Sequence, residues 1–138
     1  MTLKQQVLNI LENNRGRSIS GTKMANQLFV SRSAIWKVIK SLQDEGYKIK
    51  GITNKGYCLM SDNDIISAES IRPFLIDDAT NFDLVVYQTV TSTNNIAKEM
   101  ANQGAKEGKL IIAAQQTEGK GRMGRSFYSP YSTGIYFS

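Results

Sequence analysis

The chain has 138 residues, and its 17 Lys and Arg against 12 Asp and Glu give a formal charge of +5. That length corresponds to about one domain, at ~100–200 residues per domain. With no histidine and one cysteine, the chain cannot form a Ser-His-Asp triad, a Cys-His pair, a His-ligated or cysteine zinc site, or an internal disulfide.

The charge is unevenly spread. Residues 1–60 carry ten basic and three acidic side chains (+7), residues 61–118 four and nine (−5), and residues 119–138 three and none (+3). A basic head, an acidic middle and a basic tip imply separate tasks, and 41% hydrophobic residues suffice for two small cores. No apolar run approaches the ~18 residues of a membrane span or the h-region of a signal peptide. The expectation is a cytoplasmic protein with no membrane partner.

Leu3, Val7, Leu8, Ile10 and Leu11 recur at helical spacing, and Asn13-Asn14-Arg15-Gly16 ends that first helix. Ser20-Gly21 opens a second helix through Met24, Ala25 and Leu28. After the short Phe29-Val30 turn, Ser31 starts a third, with Ile35, Val38, Ile39 and Leu42 forming its core-facing stripe and Gly46 stopping it. The span from about Gly21 to Lys40 therefore reads as a helix-turn-helix, whose second helix enters the DNA major groove by its N-terminal end.

At 100° per residue Ser33, Lys37 and Lys40 lie away from the apolar stripe, with Arg32 and Trp36 toward its flank. Ser31, Arg32, Ser33, Trp36, Lys37 and Lys40 are therefore the candidate DNA contacts of this helix. Lys37 and Lys40 could equally solvate a surface helix, and Trp36 could be a partly buried packing residue. The next segment favours DNA: Tyr47-Lys48-Ile49-Lys50 alternates, Thr53-Asn54-Lys55-Gly56 turns, and Tyr57-Cys58-Leu59 returns. Three helices and a basic-tipped hairpin make a winged helix-turn-helix, with Lys50 and Lys55 placed to reach phosphates beside the groove. Cys58, inside an apolar run, is expected to be a buried structural thiol.

Ser61-Asp62-Asn63-Asp64 suits a linker, dividing residues 1–62 from residues 63–138. Ser67 can cap a short helix through Ala68, Glu69 and Ile71 that Pro73 bends or ends. Phe82 to Gln88 (FDLVVYQ) reads as a buried strand. Thr91-Ser92-Thr93-Asn94 then supplies cap-type residues before a helical run through Ile96, Ala97, Met100 and Ala101, closed by Gly104. Leu110 to Ala114 (LIIAA) is another buried strand, so the second part is mixed α/β and the whole chain α+β.

Two clusters here could carry chemistry. Ser92-Thr93-Asn94 offers hydroxyls, an amide and free helix N–H groups in one place, although such a cluster is commonly only a cap. Gly119-Lys120-Gly121-Arg122-Met123-Gly124-Arg125 combines glycines that permit close backbone approach with three cations that favour a phosphate or carboxylate. Gly119 through Ser126 also fits G-x-x-x-x-G-[K/R]-S, but a P-loop must open a helix. The aromatic, proline-broken Phe127-Tyr128-Ser129-Pro130-Tyr131 will not continue as one.

A winged helix, then Thr91-Ser92-Thr93-Asn94, then Gln116-Thr117-Glu118-Gly119 running into Gly121-Arg122-Met123-Gly124-Arg125-Ser126 resembles the bifunctional biotin–protein ligases that also act as biotin operon repressors. The loop is similar to that family's G-R-G-R-x-G-R signature, with Lys120 where arginine is usual. The resemblance implies a biotin–[acetyl-CoA-carboxylase] ligase. It would form biotinyl-5′-AMP from biotin and ATP, with Mg2+ accompanying ATP, and transfer biotin to a lysine of a biotin carboxyl carrier protein domain. Loaded with the adenylate, it would bind operator DNA as a homodimer.

On that resemblance Ser92, Thr93 and Asn94 hydrogen-bond the ureido end of biotin and Gln116 contacts the same ligand. Lys120, Gly121 and Arg122 fold over the carboxylate and phosphate. Arg122 neutralises charge as the mixed anhydride forms, and Arg125 assists or orders the loop. No residue is expected to ligate a resident metal. The family's central domain continues with a K-W-P-N-D segment and a small C-terminal domain, and Tyr136-Phe137-Ser138 stops within an alternating strand. The expectation is a truncated chain, inactive as a ligase by itself. Two alternatives are a non-catalytic, ligand-responsive winged-helix transcription factor and a lipoate-type acyltransferase.

Overall fold

The computed structural model describes residues 1–75 and 82–138. The fold is α+β in two compact units, Met1–Ile65 with Glu69–Pro73 and Ile66–Ala68 with Phe74–Ser138.

In the first unit, α1 (Leu3–Asn13) is opened by a capping box in which Thr2 and Gln5 each accept from the other's backbone N–H. Ser20 caps α2 (Gly21–Leu28) through Lys23 N, and Ser31 caps α3 (Arg32–Asp44) through Ala34 N. These helix starts fall where the hydroxyl residues placed them. Phe29 ends α2 in the left-handed region at φ 54° while 96% exposed. Val7, Leu11, Met24, Ile35, Ile39, Leu42 and Leu59 close the core, each under 2% exposed.

The wing is the antiparallel pair β2 (Ile49–Ile52) and β3 (Gly56–Leu59), with Lys50 opposite Cys58. A two-residue strand, β1 (Ser18–Ile19), completes the sheet in the order β1-β3-β2. Patterning did not announce β1, because two residues show no alternation. Gly56 is required where β1 and β3 meet: its φ is +97°, and a Cβ there would lie 2.2 Å from Ile19 O. Cys58 is buried. Beyond the wing Asn63 is buried and held by this unit, its Oδ1 accepting from Lys48 N at 3.0 Å and its carbonyl from Arg15 Nη1 at 2.7 Å.

The helix expected after Ser67 is α4 (Ala68–Ile71), continued by a 3-10 turn over Arg72–Phe74 that contains Pro73. In the second unit, β4 (Asp83–Val90) and β5 (Lys109–Gln116) are parallel and joined by α5 (Thr93–Asn102), while β6 (Tyr136–Phe137) is antiparallel to β5. The sheet order β4-β5-β6 makes β5 central, and Ile111, Ile112 and Ala113 are accordingly buried. The reading of FDLVVYQ as a buried strand needs correction. Phe82 precedes β4 and is exposed, and only Leu84 and Val90 of the strand are buried. Among the described residues β4 pairs on one edge only, which leaves its middle half-buried.

Candidate functional site

Two surfaces gather the candidate residues, one in each unit. In the first, a recess of about 770 Å³ lies between the first turn of α2 (Ser20–Thr22), Arg32, Ser33 and Trp36 of α3, and Gly51–Asn54 of the wing. Arg32, Ser33, Trp36, Lys37 and Lys40 are all exposed. Trp36 is 51% exposed with Lys40 Nζ 5.8 Å from its ring centroid, so it belongs to this surface and not to the core. Ser31 is exposed too, and its hydroxyl accepts from Ala34 N and lies 2.9 Å from Ser33 Oγ in a hydrogen bond that either hydroxyl can donate. Lys37, Lys40, Lys50 and Lys55 are exposed but do not line the recess. Lys48 is paired with Asp62 at 3.1 Å.

In the second unit Ser92, Thr93, Asn94, Gln116 and Lys120 line a cavity of about 320 Å³ with Phe127, Ile135, Tyr136, Phe137 and Ser138. The strand-helix-strand path brings them together: α5 begins where β4 ends, and Gln116 closes the parallel β5 beside it. Thr117 N and Glu118 N donate to Val90 O and Thr91 O at 2.9 and 2.8 Å, which holds the start of the basic loop against that junction.

The cap-type residues do not behave as a simple cap. Ser92 occupies the N-cap position of α5, yet its hydroxyl makes no capping bond. It is 1% exposed and its Oγ has no hydrogen-bond partner, an arrangement that costs about 1–3 kcal/mol unless a ligand or water satisfies it. Gln116 replaces the missing cap: its Oε1 accepts from Thr93 N at 2.8 Å and from Thr93 Oγ1 at 3.0 Å. Its Nε2 donates to Ser129 Oγ at 2.9 Å. Ser138 Oγ lies 2.9 Å from Thr93 Oγ1 and 3.3 Å from Asn94 Oδ1.

The basic loop is a pinched hairpin. Gly121 N donates to Arg125 O at 2.7 Å, Phe127 N to Gly119 O at 2.7 Å, and Lys120 bridges Ser126. Its tip is a three-residue 3-10 turn, Arg122–Gly124, with Met123 left-handed at φ 57°. No helix follows, so the geometry is not that of a P-loop. Gly121, Arg122 and Arg125 do not line the cavity, and both arginines are exposed. Sequence reasoning missed Ser129 and the aromatic wall of Phe127 and Tyr136, whose rings meet edge to face at 6.3 Å. Nothing in the local pattern around Ser129 marks it, because the Gln116 amide it accepts from lies 13 residues away.

An HTH domain model matches residues 4–58, and a model of the Biotin/lipoate A/B protein ligase family matches residues 85–138. The Bifunctional ligase/repressor BirA of Bacillus spizizenii is 35% identical over 137 residues, covering 99% of this chain and 42% of that protein. The protein of the same name from Bacillus subtilis is 34% identical with the same coverage. That from Escherichia coli is 29% identical over 137 residues, 99% of this chain and 40% of its own length. The chain thus spans about two fifths of these curated relatives. Over nearly all of its length the chain is similar to these ligase/repressor proteins, with an HTH domain model matching its first part and a biotin/lipoate A/B protein ligase model its second.

Proposed function

We propose that the chain serves a biotin–protein ligase that also represses biotin genes, with residues 1–62 binding operator DNA and residues 63–138 contributing the biotin end of the ligase site. The carrying observation is the Ser92 hydroxyl, buried and unpartnered at the wall of a cavity that also holds Thr93, Asn94, Gln116 and Lys120. A small polar head group held inside apolar walls needs fixed donors and acceptors of this kind. The biotin/lipoate A/B protein ligase match over residues 85–138 supports reading that head group as the ureido ring of biotin.

In the reaction proposed, a biotin carboxylate oxygen attacks the α-phosphorus of ATP, the P–O bond to pyrophosphate breaks, and biotinyl-5′-AMP forms. A carrier-domain lysine amine then attacks the acyl carbon and AMP leaves. Ser92, Thr93 and Asn94 fix the ring at the N-terminus of α5, and Lys120 stands at the cavity wall nearest the loop cations. Arg122 supplies charge to the carboxylate and phosphate when the hairpin folds inward, Gly121 permits close backbone approach, and the bond from Gly121 N to Arg125 O holds the neck. Among the described residues no group of three His, Cys, Asp or Glu side chains could hold a metal. A Mg2+ arriving with ATP would neutralise charge on its phosphates.

DNA binding is assigned to Arg32, Ser33, Trp36, Lys37 and Lys40 of α3 and to Lys50 and Lys55 of the wing, the adenylate acting as corepressor of a homodimer. The deciding experiment adds biotin and ATP to a full-length protein that contains these 138 residues and measures pyrophosphate. Biotin-dependent release supports the ligase. Operator binding with no release replaces it with a non-catalytic regulator.

A further inference from the structure

Gln116 and Thr93 sit in a hydrogen-bond relay whose two ends are backbone groups of fixed polarity. At one end, Phe127 O can only accept, and Ser129 Oγ donates to it at 3.1 Å. Having given up its one proton, Ser129 must accept from Gln116, so the amide end facing it is the NH2. At the other end Thr93 N–H can only donate, which requires the Gln116 carbonyl to face it. Both ends demand the same amide orientation. Thr93 Oγ1 then has to donate to Gln116 Oε1 as well, so it accepts at its 2.9 Å contact with Ser138 Oγ and keeps one lone pair for anything else.

We propose that Ser129, assigned no role by the family resemblance, is a positioning residue: through Gln116 it fixes Thr93 Oγ1 as an acceptor and leaves one Gln116 N–H as a donor in the cavity. A ring that presents an N–H beside a carbonyl, a cyclic urea or amide, matches this pair. Ser129 is 2% exposed, so water does not compete for the relay. Its backbone also joins in, because Gln116 N donates to Ser129 O at 3.0 Å. Gly119 seals the same spot. A Cβ there would lie 2.3 Å from Phe127 O, 2.6 Å from Ser129 Oγ and 3.1 Å from Gln116 Nε2.

The ligand named rests on the biotin-site reading above, whereas the relay does not, and the test separates them. In 15N-resolved NMR of the ligand-free protein, Ser129→Ala should expose the Gln116 side-chain amide to rapid water exchange and shift the Thr93 amide resonance. Ser129→Thr, which keeps the hydroxyl, should restore both. Gln116→Glu, isosteric but with no donor for Ser129, should shift Thr93 as Ser129→Ala does, with the Ile111–Ala113 amides of β5 reporting an intact sheet. In biotin titrations Ser129→Ala and Gln116→Glu should each weaken binding about tenfold, the loss of one fixed hydrogen bond. Unmoved Gln116 and Thr93 signals in Ser129→Ala would overturn the relay, and biotin affinity equal to wild type despite moved signals would overturn its positioning role. If the unaltered protein binds no biotin, the biotin-site reading fails while the NMR result still decides the relay.

Discussion

Lys40 extends its ammonium over the face of Trp36, 5.8 Å from the ring centroid, on the flank of α3 beside the buried stripe of Ile35, Ile39 and Leu42. Trp36 is the only tryptophan in the chain, so its emission should change when DNA occupies this face. Lys37→Ala should weaken duplex binding at every sequence and reduce the log–log salt slope by about 1, the signature of one lost phosphate contact. Fluorescence titrations across a salt series measure both. An unaltered slope would remove Lys37 from the interface.

Phe29 and Gly56 show how local geometry decides the sign of a substitution. Phe29 is left-handed at φ 54° and almost wholly exposed, so its ring contributes nothing to the core while its Cβ carries the steric cost of that region. Phe29→Gly should raise stability by about 1 kcal/mol, or roughly 4–8 °C in Tm for a domain of this size. Gly56→Ala should do the reverse. Its Cβ would meet Ile19 O at 2.2 Å with φ at +97°, and a loss of about 3 kcal/mol or more is expected from strain and displaced backbone together. Gly51→Ala, with open space around its Cβ, is the control and should leave the melting curve within about 0.5 kcal/mol of wild type.

These two residues also mark where the sequence was informative and where it was not. Helix starts at Ser20 and Ser31, the stripe on α3 and the wing turn are local signals, written within one or two turns of chain. A phenylalanine in the position where a helix commonly takes glycine gives no sign of its φ. The cavity shows the same split. Ser92, Thr93, Asn94 and Gln116 belong to recognisable segments, but the 13-residue step from Gln116 to Ser129 and the unpartnered state of Ser92 exist only in the folded chain. The burial of β4 was overestimated because an apolar run does not reveal whether its strand is central or at an edge.

Asp62 supplies a pH-dependent term. Its side-chain hydrogen bond to Lys48, with the charge of that lysine, holds the carboxyl below the ordinary value of 3.8 against a smaller desolvation effect. A folded pKa lowered in this way stabilises the native state above the unfolded-state pKa, and the contribution is lost as pH falls through the folded value. Because Asp62 is fully exposed, the effect on stability should be small and erased by salt. An NMR titration should show Asp62 titrating early in wild type and moving up in Lys48→Met. No movement would exclude Lys48 as the cause.

Arg122 is exposed at the tip of the pinched hairpin, next to the left-handed Met123, and does not line the cavity that holds Ser92 and Lys120. For it to meet a phosphate bound there, the hairpin must fold inward about its neck, where Gly121 N and Arg125 O are bonded. Arg122 is assigned to the phosphate, which the adenylate carries and biotin, with only its carboxylate, does not, so biotin alone should gain little from Arg122 and the adenylate should gain much. Arg122→Ala should therefore leave biotin affinity within about twofold while speeding adenylate dissociation about tenfold or more, as expected for the loss of a charge-assisted hydrogen bond. Stopped-flow displacement of each ligand measures the two rates, and equal effects on both would show that Arg122 acts on the fold of the loop instead of on the phosphate.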